Sequence, residues 1–194
     1  MTVRRLFNVL LLAVAVVLVP QGSLFATHVG QDRDHLTPQE VDVVREAQVL
    51  DKRIEVFIKA IDRRMLVLKV GAAPSDKQLK KESETWGELP TGTRAELIRD
   101  IAKILDEAIT NIDDVNARDA KNPLIPKALR KLAAAASRTV EQLKPTEGQA
   151  KDEAEVIGFE LLVKHAEEIV DAAASLAPEV PKEKNKTEKT KGTN

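Results

Sequence analysis

TPQEVDVVREAQVLDKRIEVFIKAIDRRMLVLKVG, residues 37–71, is the stretch whose periodicity sets the fold class. Val44, Ala47, Leu50, Ile54, Phe57, Ile61, Met65 and Leu68 recur three and four apart, which places them on one face of a helix. The stretch opens with a helix-start signature. Thr37 can cap the first turn, Pro38 suits the first helical position, and Glu40 can reach back as the acid of a capping box. Glu55 and Lys59 stand four apart in the favourable order on the outer side. Gly71, with Pro74 beyond it, is the expected C-terminal cap. Read this way the stretch is one unbroken helix of about 33 residues, roughly 50 Å long at 1.5 Å per residue.

The same period returns downstream. SDKQLKKESETW, from Ser75 to Trp86, predicts a short helix with Leu79 and Trp86 on one side. A second capping box, Thr93 to Glu96, opens a helix striped by Leu97, Ile101, Ile104, Leu105, Ala108, Ile112 and Val115. Asn122 and Pro123 open a third, with Leu129, Leu132, Ala136, Val140 and Leu143 on its face. Thr146 and Gln149 open a fourth, striped by Ala150, Ala154, Ile157, Leu161, His165, Ile169, Ala172 and Leu176, and stopped by Pro178. No segment alternates at period two. The expectation is an all-α protein: an up-down-up-down antiparallel four-helix bundle over residues 37–177, with a short extra helix between helices 1 and 2.

The flanks read differently. Arg4 and Arg5 precede an apolar core, Leu6 to Val19, broken by Pro20, Gln21, Gly22 and Ser23, which is the layout of a secretory signal peptide over residues 1–26. A bilayer span needs roughly 20 apolar residues, so a cleaved signal is preferred to a retained anchor and no stable span is expected after cleavage. Residues 27–36 form a polar leader. Residues 178–194, which include KEKNKTEKTKGTN, predict a disordered Lys-rich tail. The chain is therefore expected in the periplasm or outside the cell.

Composition excludes several chemistries. There is no cysteine, so neither disulfides nor a lipid-anchored cysteine can form. Acidic and basic residues number 31 and 30, and the aromatics are four Phe and one Trp, which is no nucleic-acid signature. Of the helical histidines only His165 lies on a bundle stripe, and Leu162 stands where a di-iron Glu-x-x-His motif needs its acid. Met65 and His165 could pair only on a haem iron, yet antiparallel packing would separate them by roughly 20 Å. NIDDVNARDAKN lacks the glycine and the final glutamate of a calcium loop. Ser137 and Ser175, the candidate nucleophiles, lack an elbow motif. No catalytic residue and no cofactor is assigned. His28, His35 and His165 are at most weak metal candidates.

Leu36 and Thr37 share the first two letters of the Leu-Thr-x-x-Gln motif of small helical envelope chaperones and metal-stress proteins. Glu40 replaces the final Gln and no second copy occurs, so the helix start accounts for the match. The over-wide apolar run MLVLKV suggests an interaction face formed by Met65, Leu66, Leu68 and Trp86. The expected role is a non-catalytic envelope protein that binds a protein partner or itself. Loose client binding, as in a chaperone or stress protein, or weak metal or small-ligand binding is the alternative.

Overall fold

The computed structural model describes residues 33–71 and 74–177. The chain divides into two units, Met1–Arg33 and Asp34–Asn194, and everything below belongs to the second. The expected signal peptide, His28, Asp32 and the tail from 178 lie outside the described residues. Six α-helices pack together: α1 Pro38–Glu46, α2 Leu50–Val67, α3 Asp76–Trp86, α4 Arg94–Arg118, α5 Leu124–Leu143 and α6 Glu153–Ala174. No strand forms among the described residues.

The opening stretch is not one helix. Its capping box forms as expected, with Glu40 N–H donating to Thr37 Oγ1 and Thr37 N–H to Glu40 Oε2. The helix then stops at Glu46, Ala47 turns with φ −75° and ψ 82°, and α2 starts after extended Val49. The turn folds α1 back along α2, because Glu40 lies 2.8 Å from Arg64 Nη2. On a straight helix those residues would stand about 36 Å apart. Gln48 Nε2 donates to Arg45 O and Arg53 Nε to Ala47 O, which satisfies carbonyls that the break leaves open.

The far end of α2 also differs from expectation. Lys69, with φ 57°, takes the left-handed position. Val70 N–H donates to Met65 O and Lys69 N–H to Leu66 O, which is the Schellman pattern. Gly71 lies two residues beyond, already outside the cap.

The remaining starts follow local chemistry. Ser75 caps α3, with the Gln78 side chain reaching back to its N–H, and Thr93 and Glu96 form the box that opens α4. Asn122 Oδ1 accepts from Leu124 N–H at the head of α5. The expected box at Thr146 does not start a helix: Lys144–Gln149 is a 3-10 turn, and α6 begins after Asp152, which accepts from Glu155 N–H. The face of α6 is also rotated from its expected stripe. Ile157 is 49% exposed, whereas Gly158, Phe159, Leu162, Ala166 and Ile169 are buried. This helix is apolar on more than one side, so period alone could not choose the phase.

Helix directions follow from the cross-helix contacts. Asp51 pairs with Lys127, Glu55 with Lys131 and Asp62 with Arg138, all 76 residues apart, so α2 and α5 lie side by side and run the same way. Gly158 faces Ile98 and His165 faces Ala102, so α4 and α6 are also parallel. Arg53 reaches Asn111 while Arg64 reaches Asp100, so α2 and α4 are antiparallel. The most extensive helix pairing, α4 with α6, therefore joins helices that are not sequence neighbours. A plain square of sequence neighbours would not produce it.

The core between them is aliphatic. Ile54, Phe57 and Ile61 of α2 meet Ile98, Ile101 and Leu105 of α4, with Leu132 and Leu143 of α5 and Leu162 of α6. Each such buried side chain contributes about 1.5–3 kcal/mol. Ala133, Ala135 and Ala136 are buried on α5, where small side chains let a neighbouring helix come close.

Candidate functional site

The most unusual chemistry in the protein is a buried charge cluster where α1, α2, α4 and the end of α3 converge. Glu40, Arg63, Arg64 and Asp100 are each at most 2% exposed. Glu40 takes both guanidiniums: Arg64 Nη1 donates to Oε1 at 2.9 Å and Nη2 to Oε2 at 2.8 Å, while Arg63 Nε donates to Oε1 at 3.0 Å. Such charge-assisted, two-pronged bonding is the strong form of the ion pair. Arg64 also donates to the carbonyls of Ala60 and His35, and Arg63 to those of Gly87 and Glu88. Arg64 Nε alone makes no hydrogen bond; Asp100 Oδ2 is 3.8 Å away. The Arg63 guanidinium lies 5.8 Å from the centre of the Trp86 ring.

Local sequence puts these groups there. Glu40 is held by its own capping role, which points the carboxylate back over the turn. Arg64 falls three residues after Ile61 and seven after Phe57, inside the apolar stripe, so it cannot reach water. Gly87, with φ 65°, lets the chain leave α3 where Gln39 packs; a Cβ there would sit 2.9 Å from Gln39 Cγ. Chemically the cluster is a clamp. Two acids and two guanidiniums tie the segment His35–Glu40 to α2, α4 and the exit of α3.

Outside the clamp, α3 buries none of its residues. Lys59 Nζ holds Glu82 at 2.6 Å, and Arg63 reaches the α3 exit. Beside α3, between α2 and α5, lies a groove of about 310 Å³ lined by Met65, Leu66, Val70, Pro74 and paired charges including Asp62 and Arg138. On its other side a cavity of about 290 Å³ is lined by Leu79, Ser83 and Leu89. A further groove between α5 and α6, about 260 Å³, has Val140, Val163 and Val170 below and Glu141, Glu167 and Asp171 at its edges.

The residues singled out from sequence are partly reunited here. Leu66 lines the α2–α3–α5 groove, and Trp86 is half-buried over Arg63. Met65 is a core residue, only 4% exposed, whose edge meets the groove; Leu68 is half-buried against the core. The histidines do not converge. His35 Nε2 pairs with Glu107 at 2.7 Å, and Leu36 is in the core, so the leader is packed down by His35. His165 Nδ1 lies 3.1 Å from Ala102 O, across the bundle, with Asp106 rather than Glu168 as its nearby acid. Among the described residues no three metal-ligating side chains gather, and no helix is long and apolar enough to cross a membrane.

Sequence reasoning missed the clamp. The available signal was a charge on an apolar stripe: Arg64 within Phe57–Ile61–Leu68, and Asp100 between Leu97 and Ile104. No family model, curated protein or solved structure matches the chain.

Proposed function

We propose that the chain is an exported, non-catalytic protein of the bacterial envelope that works by protein–protein contact. On this reading its four long helices, α2, α4, α5 and α6, alternate up-down-up-down and act as a scaffold. α1 and α3 are additions that shape the contact face. One observation carries the reading: α3 buries no residue of its own, and a groove lies on each side of it, one mixing Met65, Leu66 and Val70 with paired charges and the other lined by Leu79 and Leu89. A helix held mainly by its rim charges leaves apolar side chains for a partner to cover. Leu66 and Trp86 are the residues assigned to that contact. Export rests on Arg4, Arg5 and the apolar run Leu6 to Val19.

Cross-linking in the host envelope, followed by purification and mass spectrometry, tests this. One partner, or the protein itself, in fixed ratio is the expected result, with Thr27 as the first residue recovered. Leu66→Lys should abolish the cross-link without unfolding the protein. Recovery of no partner at any cross-linker length would refute the reading. A second reading, loose client binding, draws on the acid-rimmed apolar groove between α5 and α6. Slowed aggregation of a model client at substoichiometric protein would favour it.

A further inference from the structure

At the α1–α2 turn local chemistry and fold disagree. Residues 45–52, REAQVLDK, contain neither glycine nor proline, and Ala, Gln, Arg, Glu, Leu and Lys favour helix. The apolar spacing runs through the turn unbroken. α2 opens on Val49, which supplies no side-chain cap, whereas Thr37, Thr93 and Asp152 accept from the first turns of α1, α4 and α6 and Asn122 assists α5. Valine is among the poorest residues at that position. Val49 is also 49% exposed. Besides the local bonds of Gln48 and Arg53, what keeps the turn closed is remote: Glu40 between Arg63 and Arg64, Leu36 in the core, and Gln39 against Gly87.

We propose that the segment Asp34–Glu46 is an exchangeable arm, and that the partner fitted to its docking surface is the arm of a second copy of this chain. This rests on the interaction reading above and names the partner. Straightening residues 47–49 makes α1 and α2 one helix of about 30 residues, roughly 45 Å long. The arm then leaves its own α2 and places Glu40 between Arg63 and Arg64 of the second copy. Reciprocal exchange recreates both clamps, so the contacts that hold the arm are the same in monomer and dimer. Only the hinge changes: the Gln48 and Arg53 side-chain bonds to Arg45 O and Ala47 O give way to backbone bonds of a continuous helix, in residues that favour helix. A short hinge without glycine, joining helix-forming sequence, is the setting that favours such exchange.

The test uses the purified full chain, unfolded and refolded over a range of concentrations, with mass read by light scattering. A dimer that grows with concentration and separates slowly on dilution is expected. Val49→Asp supplies the missing cap on an exposed residue, so it should weaken the dimer at least tenfold while the monomer folds normally. Val49→Ala favours the straight helix and should strengthen it. Glu40→Lys and Arg64→Glu chains, each mismatched alone, should form a one-to-one dimer when refolded together, because exchange pairs Lys with Glu and restores Glu40 on Arg64. A wild-type chain that stays monomeric throughout overturns the proposal, as does a dimer indifferent to both Val49 changes. If the charge-reversed chains do not fold, the Val49 pair decides. Capture of a different protein from the envelope, with a purified chain that never dimerises, refutes the exchange while leaving the interaction reading standing.

Discussion

Glu40 is the residue on which the N-terminal half turns. It is a capping acid by sequence and a clamp by position, and the second role follows from the first: the cap aims its carboxylate at α2. Two guanidiniums fully removed from water need that charge. Glu40→Gln keeps the shape and an acceptor for Thr37 but leaves Arg63 and Arg64 without their shared counter-charge. It should cost about 3–5 kcal/mol, the usual penalty for breaking a buried pair from one side, seen as a lower urea midpoint. Lys69 is the opposite case. A side chain in the left-handed region costs about 1–2 kcal/mol, and the Schellman bonds there need only backbone. Lys69→Gly should stabilise the protein by roughly 0.5–1 kcal/mol, less than the full penalty because glycine also loosens the unfolded chain. The same urea measurement reads it.

Among the elements, the parallel pair α2 and α5 is tied by a row of charges whose spacing matches on both helices. Asp51, Glu55 and Asp62 step by four and seven, and so do Lys127, Lys131 and Arg138. The Lys127 ammonium, helped by Lys131, holds the Asp51 carboxyl below the usual carboxylate range against the opposing effect of burial. Lys131, helped by Lys52, does the same for Glu55, and Glu55 with Asp51 raises Lys131 above the ordinary lysine range. The signs fix the pH window. The depressed carboxyls contribute stability above their unfolded values and lose it as pH falls through the folded ones. The raised lysine contributes below its unfolded value and loses it as pH rises through its folded one. Stability from this row should be flat between the carboxylate and lysine ranges and fall on both sides. Lys131→Met should move the acid unfolding midpoint to higher pH, as followed by circular dichroism. The pairs are partly exposed, so added salt should shrink the difference.

For the molecule as a whole, much was legible in the sequence. Helical period, the capping boxes at Thr37 and Thr93 and the absence of period-two segments gave the all-α class and the positions of α3, α4 and α5. The break at Ala47–Val49 was not legible, because no glycine, proline or capping residue marks it; contacts 24 residues apart in sequence hold it. The 3-10 turn at 144–149 and the phase of α6 escaped for related reasons. Thr146 was better used in the turn, its Oγ1 bonded to Leu143 O and receiving Arg94. A helix apolar on more than one side, as α6 is, leaves its phase ambiguous. At the candidate site, Leu66 and Trp86 were visible as apolar surplus, whereas Met65 and Leu68 belonged largely to the core. The clamp was readable only as charges standing on apolar stripes, a pattern that names a buried ion pair but not its partner.

α1 lies folded back on α2, and a single distance measures it. The chain has no cysteine, so spin labels at exposed Asp42 and Lys69 report without interference. Labelled chains diluted into unlabelled protein at low concentration should give a separation below about 20 Å, the sum of one helix spacing and a few turns. A single separation near 40 Å, as in a straight helix, with no short component at any concentration, would contradict the account.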